Sequence, residues 1–542
     1  MRIHRLNGDD NSPHLDPIET FGGMPMSDLS LRRPGRRGRG GVEITPVLPP
    51  IAPGMTGGRY QPLTGPEMKR VHQLVLRLLE DLGLSQVTPS LERRAVEAGC
   101  RVDETGRLRF PRALVEDVIA RTRRRFTLHG IDPIHDLEIG GQRVHTGTGG
   151  AAPTILDFET GIYRESTVAD LYDIARLVDR LDNIHWYHRS VVARDTDTIL
   201  DLDINTTYAC FSGTTKSIAV SYTDGNSVRA VQPMLDLVAG GEGKFRERPF
   251  CTAVCCHVVP PMRFATESCD ALEAAVLAGM PILLVAAGQA GATAPAALAG
   301  AVAQACAEVL AGLVLCNIID PNCRGIFAAW PFVSDLRTGA MSGGSGEQAL
   351  LSAACAQMAG FYDLPNSVPA GMTDSKLPDA QSGGEKGYTI SLAAHAGATM
   401  IHECAGMQGS LMGTAFESYV LDNDLLGAIL RTVKGVEVSE DTLSFDVIRD
   451  VAMGPGHFLG HPQTFARMKT DYVYPQIADR RSISEWQEAG ARDARAVARD
   501  RVRRILTEHC PGHIAESVDA RLRDCYKIVL PRARMRTGNG AW

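Results

Sequence analysis

Pro281-Ile-Leu-Leu-Val-Ala-Ala-Gly288-Gln-Ala-Gly-Ala-Thr-Ala-Pro295 is the stretch that decides the fold. Its first seven residues form an unbroken apolar run, the pattern of a strand covered on both faces, as in a parallel sheet. Gly288 to Pro295 is a bare turn, and an alanine-rich helix is expected from Ala296 to about Leu315. Such a turn at the carboxyl end of a buried parallel strand is where barrel enzymes carry their substrate loops.

The same grammar recurs along the chain. Strands are expected at 154–157, 184–192, 216–221, 250–258, 282–287, 325–329, 367–370 and 398–401. Helices are expected between them at 168–181, 227–239, 265–278, 346–359, 386–395 and 415–433. This alternation predicts an α/β fold, a closed (β/α)8 TIM-type barrel over residues 136–483. An open sheet would announce a dinucleotide loop, and no Gly-x-Gly-x-x-Gly follows the first strand. Ahead of the barrel, Val71, Leu74, Val75, Leu78 and Leu79 recur at helical spacing, and Pro89 and Pro111 open two more helices, giving a helical N-terminal subdomain over 61–135. Residues 1–60, rich in Gly, Pro and Arg, read as a disordered arm that includes a basic run at 31–40. Residues 484–542 read as a C-terminal helix and tail.

Composition narrows the function. A formal net charge of −7 over 542 residues argues against nucleic acid held by global charge. No apolar stretch reaches the roughly 18 to 20 uncharged residues of a membrane span. The chain starts without a secretory pattern, and its 13 cysteines fall in no paired framework, so a cytoplasmic, reduced protein is expected. Self-association is a general expectation for large barrels.

In a barrel the site is assembled at strand carboxyl ends. There the chain offers Arg194 and Asp195, Tyr222, His257, Gln289 and Thr293, Trp330 and Phe332, Asp374 to Lys376, and His402 with Glu403. Aromatic rings mixed with a few acids and donors suit a small cationic organic substrate, because ring faces attract a desolvated ammonium. Cys251, Cys255 and His257 would share one strand face, but that spacing closes a tetrahedron poorly and no metal site is expected. His402 and Glu403 are adjacent on a strand, so alternation predicts that one faces the lumen, and Glu403 is the choice because idle burial of a carboxylate is costly.

Several motifs resemble the trimethylamine methyltransferase (MttB) superfamily. They are Gly288 to Pro295, Gly371-Met-Thr-Asp-Ser-Lys376 with Asp379, Gln381 and Glu385, Gly147-Thr-Gly-Gly150 leading to Asp157, Gly454-Pro-Gly-His457 and Gly460-His461-Pro462. The resemblance runs from about residue 60 to 510. It implies a TIM barrel that moves a methyl group from a methylated amine to the Co(I) of a corrinoid (cobalamin) carried by a separate cognate protein, with no tightly bound cofactor of its own. Founding members carry pyrrolysine just after the Asp-Ser-Lys motif. Here Leu377 and Pro378 follow Lys376, which points to the non-pyrrolysine, glycine betaine methyltransferase-like branch and a quaternary amine. Under that reading Tyr222, Trp330 and Phe332 form the ammonium box. Arg194, His257, Gln289, Thr293 and Lys376 are expected around the substrate, and Asp374 and Glu403 offset its charge. Two other readings stay open: a barrel enzyme acting on methylated amines without a corrinoid, and a non-catalytic methylated-amine binding protein.

Overall fold

The structure is a computed structural model that describes Pro49 and residues 51–542. The basic run at 31–40 lies outside the described residues.

Eight parallel strands form the centre: β1 (Arg143–Thr146), β2 (Tyr187–His188), β3 (Ile218–Ser221), β4 (Cys251–Cys255), β5 (Ile282–Ala286), β6 (Gly325–Ala329), β7 (Ser367–Pro369) and β8 (Met400–His402). β2 to β6 pair in chain order, and β7 pairs with β8, which pairs with β1. Single parallel bridges, Gly147 to Trp186 and Phe327 to Asn366, join these two sheets, so the eight strands follow one another round a ring. The ladder thins to one residue pair at each of those joints. A helix follows every strand: α1 (Val168–Asp179), α2 (Ile199–Gly213), α3 (Gly225–Val238), α4 (Thr266–Leu277), α5 (Leu298–Ile319), α6 (Gly346–Phe361), α7 (Ala380–Ala396) and α8 (Phe416–Lys434). The chain is a (β/α)8 barrel.

The expected elements fall on this plan with two exceptions. The 154–157 strand is not in the barrel. Thr154–Leu156 pairs instead with Tyr163–Glu165 and Gly413–Thr414 in a small sheet built from the segments that follow β1 and β8, at the mouth. The first barrel strand is Arg-Val-His-Thr, whose polar residues hide it from an apolar search. Helix α2 was also unmarked, because Asp201, Asp203, Asn205, Thr206 and Thr207 interrupt its apolar pattern.

Helix α5 shows why a neighbouring subdomain is needed. It is apolar on every side, with a mean hydropathy of 1.9 over its most apolar 18 residues, 89% of which are buried. One side lies on β5 and β6. Helices Gly65–Arg77, Pro89–Glu97 and Arg112–Arg121 pack against it from outside. An all-round apolar helix needs such a double cover. Behind this subdomain a hairpin, Phe126–Leu128 with Leu137–Ile139, puts Leu128, Leu137 and Ile139 into the lumen cluster of side chains. It straddles the 135/136 boundary read from the sequence. Residues 51–60 are ordered against the barrel rather than part of a loose arm: Met55–Thr56 pairs antiparallel with β1, covering a sheet edge. At the other end, Ala494–Glu508 packs on α8 and α1.

Candidate active site in the barrel lumen

Parity along each strand decides which side chains enter the lumen. Ala219, Val254, Leu283, Val285, Ile326, Ala328 and Met400 make one inner cluster with Trp186 and Trp330. Residues of opposite parity join the larger layer between strands and helices. Trp186 and His188 precede and end β2, Cys256 follows β4, and His402 ends β8. All four continue the inward parity to the mouth.

There the rings meet. His402 stacks against Trp186 with centroids 4.0 Å apart and against Trp330 at 4.9 Å, and the His188 ring is 5.6 Å away. Trp330 Nε1 donates to the Ser367 carbonyl at 3.2 Å, and Ser367 Oγ lies 2.6 Å from His402 Nδ1. Those bonds fix one edge of the cluster. The other edge is unpaired: Trp186 Nε1, both ring nitrogens of His188, His402 Nε2 and Glu403 Oε2 are buried without a partner. Buried polar atoms are paired almost everywhere in proteins, so five such atoms around one space make it the candidate ligand site.

Glu403 enters this space against strand alternation. Its φ is +65°, and this left-handed turn right after β8 brings it to the same side as His402. Both residues of the pair therefore reach the lumen, where strand alternation allowed only one. The turn is held from behind: Gly406 N–H donates to Asp422 at 2.8 Å, and the fully buried Lys386 ammonium holds the same carboxylate at 2.6 Å.

Burial sets the charges. With no partner, the Glu403 carboxyl is pushed up to about 8. Burial, with Arg189 beside it, lowers His188 to about 3, and His402 is also held well below its usual range. Both histidines are neutral at physiological pH. Cys256 has an exposed surface, yet burial raises its thiol pKa. The two facts together describe a side chain lining an internal well.

The glycines of Gly147-Thr-Gly-Gly150 make room for this well. A Cβ on Gly147 would come within 2.0 Å of the Trp186 ring, and one on Gly149 would touch both His188 and Glu403.

Of the residues read from the sequence, the structure brings Trp330 and Glu403 into the lumen, and Phe332 packs against the same inner cluster. Tyr222 follows inward-facing Ser221 and so points outward, its hydroxyl 3.5 Å from Cys251 Sγ in the strand–helix layer. His257 is outward for the same reason, with Nε2 2.9 Å from the Glu308 carbonyl. Cys251 and Cys255 share that outer face. Thr293 Oγ accepts from Gln289 N–H at 2.9 Å and shapes its own loop; the half-buried Gln289 belongs to a two-residue pairing with Phe332–Val333 at the rim. Arg194 is exposed beyond β2, and Lys376 is exposed with its ammonium on the Asp374 carbonyl at 2.6 Å.

Asp374 is a latch between loops rather than a lumen acid. It accepts from Ser342 Oγ at 2.7 Å and from Ser410 Oγ, and its own N–H donates to Glu385 at 2.7 Å. Gln381 holds the same Glu385 at 2.9 Å, and Asp379 caps α7 through Ser382 N–H at 3.0 Å. That motif is therefore a scaffold. Trp186, His188, Cys256 and His402 complete the lumen rim, with the Arg189 charge near enough to bear on His188 and Cys256, and of these only His402 stood out in the sequence. A cleft of about 410 Å3 at the rim, lined by Val333, Ser334, Asp335, Leu336 and Ser342, contains none of the lumen side chains.

A sequence profile described as trimethylamine methyltransferase (MTTB) matches residues 32–528. The chain belongs to this family. It is an enzyme of the methyltransferase class. A trimethylamine methyltransferase MttB of Desulfitobacterium hafniense (strain DSM 10664 / DCB-2) is 30% identical over 460 residues, covering 84% of this chain and 91% of its own. That of Methanosarcina thermophila is 31% identical over 462 residues, covering 84% and 94%. A glycine betaine methyltransferase of Desulfitobacterium hafniense (strain Y51) is 29% identical over 473 residues, covering 86% and 96%. Among solved structures, the Methanosarcina barkeri monomethylamine methyltransferase aligns at 11% identity with a TM-score of 0.44, covering 81% of this chain and 92% of that one.

Proposed function

We propose that the lumen binds the methylated ammonium group of a small quaternary amine of the betaine class and presents one of its methyl groups to a corrinoid on a separate protein. The observation that carries this reading is the unpaired Glu403 carboxyl in an aromatic well whose two histidines are neutral. A neutral histidine does not repel a cation. A quaternary ammonium beside Glu403 favours its ionised form and gives the buried carboxylate the partner it lacks, while the Trp186 and Trp330 rings solvate the methyl groups.

The orphaned atoms and the exposed Cys256 sit at the strand carboxyl ends, so the well opens outward, which fits an acceptor that arrives over the mouth. When bound there, the corrinoid supplies a nucleophilic Co(I) as methyl acceptor. The leaving group is a neutral tertiary amine and takes no proton, which agrees with a site that keeps both histidines uncharged. The chain's own contribution is placement and exclusion of water. Arg189 is half-buried with Nε unpaired, and its charge works against the burial that raises the Cys256 thiol; it offers a donor for a substrate carboxylate.

The test is incubation of the protein with chemically reduced cobalamin and, in turn, glycine betaine, proline betaine, carnitine, choline and trimethylamine. Appearance of the corresponding demethylated amine, dependent on Co(I), supports the reading and names the substrate. Demethylation without cobalamin would replace it with a corrinoid-independent reaction, and binding without turnover would replace it with a binding protein.

A further inference from the structure

Three arginines meet at the end of the barrel away from the mouth. Arg324 is the residue before β6, and Arg246 comes from the link between α3 and β4. Arg123 closes in from the segment after helix Arg112–Arg121. With Asp320 and Asn322 they line a cleft of about 180 Å3 beside Gly279, the turn between α4 and β5. The lumen opens at the other end of these strands, where Trp330 follows β6.

Two of the guanidinium groups are fixed by the end of α4. Arg246 Nη1 donates to the Leu277 carbonyl at 2.5 Å, and Arg324 Nη1 donates to the Gly279 carbonyl at 3.2 Å. Gly279 has a φ of +78°, and a Cβ on it would stand 2.9 Å from Arg246 Cγ and 3.4 Å from the guanidinium carbon. Its bare backbone is what lets Arg246 lie across the turn. These bonds use one nitrogen of each arginine, whereas a guanidinium carries five N–H donors.

No side chain of the protein neutralises the group. Arg121 and Arg124 pair with Asp117 and Asp363, but Arg123 between them, like Arg246 and Arg324, has no ion-pair partner among the described residues. The Asp320 carboxylate accepts from the Asn322 N–H at 2.8 Å. Three arginines against that one acid leave two positive charges uncompensated in the cleft. Burial, and then the charges of Arg123 and Arg246, hold the Arg324 guanidinium below its usual range. Like charges gathered in this way cost free energy until an anion joins them.

The geometry points to a binding site for a phosphate dianion, free or as the monoester end of a small molecule. Guanidinium forks match the oxygens of a phosphate, and the surplus of two positive charges matches a dianion. A cleft several times the ~30 Å3 of one water takes a group of that size. A ligand bound there leaves the mouth free.

The test is calorimetric titration of the full chain with inorganic phosphate, glycerol 3-phosphate or acetate, at a constant ionic strength of about 0.15 M. The pH is set at about 8, where phosphate is a dianion. One saturable site is expected, with a Kd of about 1 mM or tighter, and the tighter of the two phosphates tells whether the ligand is free or an ester. Acetate is expected to bind at least about tenfold more weakly. Arg123→Gln and Arg246→Gln change exposed side chains; each is expected to weaken phosphate about fivefold or more and to leave turnover unchanged. Hydrogen exchange of the wild type is expected to slow in residues 277–281 and 320–325 when phosphate is added, a readout that needs no variant. No phosphate binding up to about 10 mM overturns the inference. So does undiminished binding by both folded variants, acetate bound as tightly as phosphate, or displacement of phosphate by the quaternary amine, which would put it in the lumen.

Discussion

His188 and Glu403 face each other across Gly149: a Cβ on that glycine would lie 3.1 Å from His188 Nδ1 and 3.2 Å from Glu403 Cγ. Neither side chain has another polar partner on that side. The glycine therefore sets the width of the gap between the Glu403 carboxyl and a neutral imidazole.

Gly149→Ala is expected to push the two side chains apart by a few tenths of an ångström. Kinetics should show kcat/KM lowered about tenfold, since sub-ångström misplacement weakens a positioned site. Thermal unfolding should shift by only a few degrees.

Glu403→Gln is expected to weaken binding of a quaternary amine by about 1.4–2.8 kcal/mol, ten- to hundredfold, by removing the charge that complements it. The pH dependence follows from the carboxyl raised from 4.5 to about 8. A bound cation lowers that value, so wild-type affinity should rise as pH approaches 8 and level off above it, whereas the variant's should stay flat. Stability runs the other way. The folded protein holds the proton that the unfolded chain releases near 4.5, so wild-type stability falls from about pH 5 through 8 by a few kcal/mol. Chemical denaturation of Glu403→Gln should lack that fall.

Trp186→Leu removes a ring from the wall of the well and should raise KM for the ammonium substrate about 2- to 30-fold, corresponding to a cation–π contribution of about 0.5–2 kcal/mol. Steady-state kinetics with a fixed acceptor concentration checks this.

Tyr222→Phe is the contrasting case. The hydroxyl lies in the strand–helix layer, so kcat/KM should stay within about twofold of wild type and stability within about 1 kcal/mol. A large catalytic loss would place the ring in the site after all.

Lys386→Met leaves the buried Asp422 carboxylate behind the Glu403 turn without its counter-charge, held by the Gly406 N–H alone. Urea unfolding should show a loss of about 3–5 kcal/mol, the usual cost of breaking a buried ion pair from one side.

The barrel was legible wherever strands are buried on both faces, as at Ile282–Ala286 and Gly325–Ala329, whose apolar runs leave little ambiguity. Arg143–Thr146 was not, because a strand with His145 facing the lumen does not look like core. The site was harder still. Tyr222 and Trp330 each follow a strand, and only the parity of the preceding residues separates a ring in the helix layer from one in the lumen. Trp186 and His188 lay inside an expected strand with nothing to mark their side. Glu403 was found for its cost of burial, but its partnership with His402 depends on a φ of +65° that breaks the alternation on which a sequence argument rests. The Asp374 motif carries several acids and hydroxyls, a catalytic look, yet its groups bond to one another and to neighbouring loops.

The most direct measurement uses the lumen's own chromophores. The chain has 4 tryptophans, so Trp486→Phe/Trp542→Phe leaves only Trp186 and Trp330 to report. Titrating that variant with the quaternary amine it demethylates should give a saturable change in tryptophan emission whose midpoint matches KM. Turnover with no change in emission at saturating substrate would contradict a site bounded by these two rings.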